Sequence, residues 1–333
     1  MKKNVFVQKV VAGVAALLLV GAVPVQAASS AQPLVSTGWV EKNLDRIKNL
    51  NQDEIRLIEV SDKGYEQGHI PGAVHMQWGS EIFNPNTDHM VLTHVQLERI
   101  MGGKAAPPEA HIVLYDGDGN HHHVTRVYWT LKYWNYDNVS IMDGGKALWQ
   151  RQDRSLSAET VTVDPMDVRV EYPPNTSIRA MYSPDITHAL ATGNAVMVDS
   201  RNEDFYEGAV YSLNKWVRNG HITGAVNVPT MRAMNGDNTY KDREQLEALY
   251  RQAGVKPDDN VIPYCDTGVF GAHAWFVMHE LLGYQNVKVY DGSMREYANR
   301  FDTPMEPGKV ADGFPPLPLS PAGVEEVEVL QLD

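Results

Sequence analysis

Cysteine is almost absent from this sequence: Cys265 is the only one in 333 residues. One thiol cannot close an internal disulfide, so a disulfide-stapled fold and a Cys-x-x-Cys metal or redox site are both excluded. Long apolar runs are equally scarce. The one that stands out, residues 10–23, is shorter than the ~20 residues a bilayer requires. It follows Lys2, Lys3 and Lys9 and is closed by Pro24. With small residues at Val25 and Ala27, this is the make-up of a secretory leader, residues 1–27, cleaved after Ala27. Positive charge is also in deficit. The formal charge of −13 becomes −16 once the leader's three lysines are removed. A chain that acidic is a poor partner for nucleic acid or anionic lipid. We therefore expect no nucleic-acid partner, no membrane after cleavage, and a soluble periplasmic protein.

What the chain does contain is itself twice. His69-Ile70-Pro71-Gly72-Ala73-Val74 returns as His221-Ile222-Thr223-Gly224-Ala225-Val226, an offset of 152. Ile112 to Asp116 returns as Val261 to Cys265 at 149, and Ser140 to Gly145 as Lys288 to Ser293 at 148. Markers in one order at nearly one offset mean two copies of a domain, each with its own core. Within each copy, short apolar strands such as Leu57–Val60 and Val196–Asp199 alternate with helical periodicity, which predicts a parallel α/β sheet covered by helices. The expected layout is a first domain over 35–155, a linker over 156–174, a second domain over 175–305 and a Pro-rich tail over 306–333. Pro263 conflicts with this pattern. It lies inside a run read as a buried strand, and its missing donor must face a bulge or the loop side.

Cys265 ends that run, and Ala274, Val277, Met278, Leu281 and Leu282 after it lie on one helical face. The thiol therefore sits in a strand-to-helix turn, at the carboxyl ends of the strands where ligands gather in such sheets. Unpartnered amides at a helix start stabilise a thiolate and any anion attached to it. Gly268 lets Asp266, Thr267, Gly268, Val269 and Phe270 curl into a nest of N–H groups. A lowered thiol pKa is expected from the amides, with Asp266 opposing it.

In these features the chain resembles the tandem-domain sulfurtransferases of the rhodanese family. The likeness rests on Asp199-Ser200-Arg201, the Gly220 to Ala225 turn, Asn227-Val228-Pro229, Tyr264-Cys265 with Gly268, and Tyr290-Asp291-Gly292-Ser293. It implies two rhodanese-like domains, the second catalytic. The first would be an inactive scaffold, because Asp116 stands where Cys265 falls. It further implies a double displacement through a Cys265 persulfide, with a small-molecule sulfur donor, a thiol or cyanide acceptor, and no cofactor. Arg201 takes the family position that binds the donor's anionic end. The second family arginine, expected just before the aromatic-x-Gly of Phe205-Tyr206-Glu207-Gly208, is replaced by Asp204, and Arg218 in the inserted stretch Ala209–Asn219 is its candidate substitute. Acidic Asp266 and bulky Phe270 depart from the loops of thiosulfate- and mercaptopyruvate-using relatives, so the donor stays open between those two.

Rival readings are few. A phosphatase built on a related loop needs an arginine six residues after the cysteine, and Gly271 stands there. A non-catalytic module that binds a sulfur or selenium species or a partner protein fits the acidic loop. His121-His122-His123 lack a spaced partner for a metal and read as surface histidines, so no metal site is assigned. The aromatic residues Trp129, Trp134, Trp149, Tyr128, Tyr133 and Tyr136 read as core and domain interface. Amino-terminal sequencing of the exported protein should begin at Ala28; retention of Met1, or fractionation with the membrane, would contradict the leader reading.

Overall fold

The central strands are buried on both faces, as parallel sheets under helices require, and are mostly apolar, with Arg56 and Glu59 of the Ile55–Ser61 strand buried among them. The computed structural model describes residues 31–50, 54–210 and 217–306; the leader (1–27), the tail beyond Glu306 and positions 211–216 of the inserted stretch lie outside these described residues.

In the first half, β1 (Leu34–Val35), β2 (Ile55–Ser61), β3 (Val74–Gln77), β4 (His111–Asp116) and β5 (Val139–Met142) form one parallel sheet in the order β1-β5-β4-β2-β3. It is flanked by α1 (Thr37–Lys42), α2 (Leu44–Lys48), α3 (His94–Gly103), α4 (His121–Tyr133) and α5 (Gly145–Arg151). The second half repeats the plan with β6 (Arg179–Ala180), β7 (Val196–Asp199), β8 (His221–Ile222), β9 (Val226–Asn227), β10 (Val261–Tyr264), β11 (Val289–Tyr290) and β12 (Met305–Glu306). Its helices are α6 (Thr187–Thr192), α7 (Glu203–Tyr206), α8 (Arg243–Gln252), α9 (Val269–Trp275) and α10 (Ser293–Tyr297). Equivalent helices start alike: the Thr93 side chain caps α3 and Asp242 caps α8, each accepting the N–H three residues on.

Pro263 explains the one break in the repeat. The second sheet runs β10-β7-β9, and β11-β6 stand apart from it. Val261 still pairs with the neighbouring segment, donating to Asn286 O at 2.8 Å and accepting from Lys288 N at 2.9 Å. Two residues on, in the same facing direction, stands Pro263, which has no N–H to give. Leu114, its counterpart, stays in register with Ile141 in the unbroken first sheet. The missing donor thus faces β11, whereas Pro263's other edge pairs in register with Val198 of β7.

A buried hydrogen-bond set is also built twice. Tyr115 Oη donates to Glu59 Oε2 at 2.6 Å and accepts from Ile70 N at 3.0 Å. Tyr264 Oη, opposite Asp199 in register, accepts from Ile222 N at 3.2 Å. Tyr65 stacks on His69 at 4.1 Å between ring centroids, and Tyr206 on His221 at 3.7 Å. The two tyrosine hydroxyls donate to Ala73 O at 2.6 Å and Ala225 O at 2.7 Å.

The halves meet along α4 and α9 around a pseudo-twofold axis. Tyr128 packs edge-on against Phe276 at 4.9 Å, inside an apolar core that runs on from one half into the other. Trp129, Trp134 and Trp149 are buried with Tyr128, Tyr133 and Tyr136, as the aromatic reading expects. Each half also lends a backbone N–H to the other's Asp-Gly turn: Val91 N to Asp291 Oδ2 at 3.0 Å, and Tyr240 N to Asp143 Oδ1 at 3.0 Å. Tyr264→Phe strands the Ile222 amide in the core, and it should lower unfolding stability by about 1–3 kcal/mol. Urea denaturation should show a lower midpoint for this variant, with Tyr115→Phe acting in the same direction.

Candidate functional site

Cys265 follows β10 directly and is 1 % exposed. Its surroundings are fixed by the Tyr290–Arg295 segment. Cys265 N donates to Ser293 Oγ at 3.1 Å, and Ser293 Oγ donates to Tyr290 O at 2.8 Å. Met294 N donates to Cys265 O and Arg295 N to Asp266 O, both at 2.9 Å. The Asp-Gly-Ser motif is therefore a brace for the cysteine loop, a role that its recurrence in the sequence marks only as a repeat.

Gly268 caps α9 at φ +76°, and a Cβ there would lie 2.8 Å from both Arg126 Nη1 and Asp291 O. Only glycine meets both conditions. Beneath the loop, Asp291 forms the buried centre of an ion cluster. Arg126 Nη2 of the first half lies 2.7 Å from Oδ1, and Arg179 Nη2 lies 3.0 Å from Oδ2. No sequence signal marks Arg126 or Arg179 for this task.

The N–H groups of Gly271, Thr267 and Phe270 reach the Cys265 thiol and favour its anion. Burial first, and the Asp266 carboxylate second, outweigh them and raise the thiol above its ordinary pKa. The expected lowering is thus reversed: the amides are present, but the site is too dry and too negative. In the first half, Asp116 Oδ1 accepts from the N–H groups of Asp118, Gly119 and Asn120 at 3.0, 2.8 and 2.9 Å. There the nest already holds a carboxyl oxygen, on a group whose pKa burial raises.

The two arginines expected to read the donor are each paired with groups of the chain itself. Arg201 is buried, with Nε 2.9 Å and Nη2 2.5 Å from the two carboxylate oxygens of Asp199, and Nη2 also donates to Gly220 O at 2.8 Å. Its Nη1 lies 3.8 Å from Asp266 Oδ1, so it meets the loop through that carboxylate. Arg218 donates to Ala298 O at 3.2 Å, Thr303 O at 2.8 Å and Tyr297 O at 3.1 Å, which makes it a strut for the chain after α10. Its guanidinium is turned to these carbonyls, to Arg300 O and to the Thr303 hydroxyl.

The histidine triplet is not the surface feature expected of it, since two of the three are buried and His122 is half-buried. His121 and His123 are buried at the start of α4, His122 packs edge-on against Phe270 at 4.6 Å, and His123 stacks on Trp78. Burial is the largest cause holding His122 at about 3, His123 at about 4 and His273 of α9 at about 3, so all three are neutral wherever the protein is folded near neutral pH. Among the described residues no group of three His, Cys, Asp or Glu is arranged to hold a metal ion.

A cavity of about 410 Å³ opens beside the loop, lined by Thr267 and Arg295 of the second half and by Trp78, Phe83, Asp88 and His89 of the first. A second, of about 660 Å³, shares Asp88 and Arg295 and extends to Arg179 and Trp134. Both lie between the halves.

A family model described as Rhodanese-like domain matches residues 38–152 and again 184–300. Among curated proteins the chain is similar to the "Putative thiosulfate sulfurtransferase" of Mycolicibacterium smegmatis, 35% identical over 83% of this chain and 98% of that one. A protein of the same name from Haloferax volcanii is 34% identical over 83% of this chain and 96% of its own length. The "Sulfur carrier protein TtuD" of Thermus thermophilus is 33% identical over 83% and 97%. Among solved structures, the anaerobic ergothioneine biosynthesis enzyme of Chlorobium limicola superposes with a TM-score of 0.73 at 23% identity, over 83% of this chain and 70% of that one.

Because Asp266 raises the thiol, Asp266→Asn should lower its pKa. The thiolate is the reactive form, so the rate of Cys265 alkylation by iodoacetamide rises with pH through that pKa. The midpoint of the rate profile should move to lower pH in the variant, with faster alkylation at pH 7.

Proposed function

The chain belongs to the rhodanese family, and on that premise we propose that it carries a sulfane sulfur from an anionic donor, through a Cys265 persulfide, to a thiol or cyanide acceptor. With thiosulfate, the Cys265 thiolate attacks the outer sulfur, the S–S bond breaks with its electron pair, and sulfite leaves. With 3-mercaptopyruvate, the carbon–sulfur bond breaks and pyruvate leaves, taking the thiol proton onto carbon. In either case the enzyme keeps Cys–S–S⁻. A nucleophilic acceptor then takes the terminal sulfur and returns the thiolate, giving thiocyanate when the acceptor is cyanide.

The observation that carries this reading is the amide nest, together with its occupied counterpart. Asp116 Oδ1 hangs from Cγ much as a terminal sulfur hangs from Cys265 Sγ, and three N–H groups close on it. The Cys265 loop brings three N–H groups to its own sulfur. Fixed dipoles of this kind stabilise charge as it develops and require no reorganisation at the moment of reaction. The curated relatives' names support the same chemistry.

A second reading, a binding module without turnover, is favoured by one observation: burial and Asp266 hold the free thiol neutral. From the leader we also propose that the mature chain works in the periplasm. Thiosulfate and mercaptopyruvate should be compared in parallel, with sulfite, pyruvate and thiocyanate measured. Sulfur transfer requires that donor add one sulfur's mass to the intact protein, that cyanide remove it over many turnovers, and that Cys265→Ser abolish both steps. Stoichiometric loading without turnover would replace it with the binding-module reading.

A further inference from the structure

Arg201, which the family likeness assigns to the donor, and Arg218, the candidate substitute for the second family arginine, are both held by groups of the chain itself. A further cation that could read the donor is therefore sought in the cavity beside the loop. Two of its lining residues, Arg295 and His89, carry nitrogen that can be cationic, and Arg295 stands on the loop's own brace. Its backbone N–H is fastened to Asp266 O at 2.9 Å, one residue from the thiol. Its side chain reaches across the interface and pairs through Nε with Asp88 Oδ2 of the first half.

That pair differs in kind from the buried clusters below it. The Arg295 side chain is 26 % exposed and Asp88 59 % exposed, whereas the Arg201–Asp199 pair is closed at 2 % and 0 %. A solvated ion pair contributes little net stability, so exchanging its carboxylate for another costs little. Asp88 also has somewhere to turn, because its Oδ1 lies 3.0 Å from His89 Nδ1. Arg295 lines the neighbouring 660 Å³ cavity as well, which leaves its guanidinium space to move.

We propose that Arg295 binds the anionic end of the sulfur donor by exchanging Asp88 for the donor's carboxylate or sulfonate, with the donor seated in the cavity between the halves. Asp88 is then a competitor held in place of the ligand, and the first half supplies it. A planar guanidinium matches either anion with two parallel hydrogen bonds. The inference rests on the sulfur-transfer reading for the donor's identity, but the exchange itself can be tested without sulfur.

The full chain is used, as wild type, Arg295→Ala, Arg295→Lys, Asp88→Asn and Asp88→Ala. The first readout is the donor concentration giving half-maximal persulfidation by intact mass, with thiosulfate and with mercaptopyruvate. The second is the ratio of Cys265 alkylation by iodoacetate to that by iodoacetamide, reagents that differ in one charge and both release iodide. Exchange predicts opposite signs. Arg295→Ala should raise half-saturation roughly ten- to a hundredfold, the effect of one charge-assisted hydrogen bond, with Arg295→Lys partly restoring it. Both Asp88 variants should lower half-saturation. The iodoacetate-to-iodoacetamide ratio should fall in Arg295→Ala and rise in Asp88→Asn. A latch that merely holds the halves together predicts that breaking it from either side does equal harm; that result, or unchanged half-saturation in Arg295→Ala, overturns the proposal. If neither donor loads the wild type, the sulfur-transfer reading fails, and the alkylation ratio alone decides for or against an anion-reading Arg295. A thiol inert to both reagents and both donors overturns the two together.

Discussion

Asp291 is the charge on which the arrangement of the two halves and of the cysteine loop depends. Its carboxylate is 1 % exposed and is met from the first half by Arg126 and from the start of the second by Arg179. Burying such a cluster yields little net stability compared with an apolar core, but removing one member leaves an uncompensated buried charge, typically at a cost of about 3–5 kcal/mol. The cluster therefore selects one docking of the halves more than it strengthens the fold. Arg126 Nη1 also lies 3.4 Å from Gly268 O, so the first half contacts the backbone of the loop that carries the chemistry. A copy without a cysteine is in this way part of the site.

The pseudo-twofold relation makes each half a control on the other. Val91 and Tyr240 give their amides to the opposite Asp-Gly turn, and the tyrosine–histidine stacks recur with nearly the same distances. Where the halves differ, chemistry is the difference. Glu59 is neutralised by Lys146 at 2.7 Å in the first, and Asp199 by Arg201 in the second. Asp116 fills its nest with its own oxygen; Cys265 brings a sulfur to the loop amides. The geometry needed for anion binding is thus separable from the nucleophile that exploits it.

Much of this was legible in the sequence because repetition and apolar patterning are local signals. The offsets near 149, the strand runs and the position of Cys265 after one of them all correspond to the architecture described, and the family model falls on both copies. Pro263 was visible as an anomaly, but its explanation required knowing which edge of β10 its nitrogen faces. The histidine triplet misled because three adjacent polar residues carry no periodicity, and tertiary packing buried them against Trp78 and Phe270. The raised thiol also escaped the sequence, since desolvation is set by the whole surroundings and only the amides and Asp266 are local.

Arginines were the hardest to read, for a reason that follows from their chemistry. A guanidinium has five N–H donors, and its role depends on how firmly its existing acceptors hold them, which no position in a chain reveals. Arg201 gives two nitrogens to Asp199, is closed from solvent, and reaches the loop only as a counter-charge 3.8 Å from Asp266. It therefore stands as a counter-charge to Asp266, the carboxylate that raises the thiol. Arg218 is spent on the backbone, and Arg126 and Arg179 on Asp291. What separates a structural arginine from an available one is therefore the solvation of its partner, and by that measure Arg295, paired with an exposed Asp88 across the cavity, is the arginine at this site whose partner is most readily exchanged.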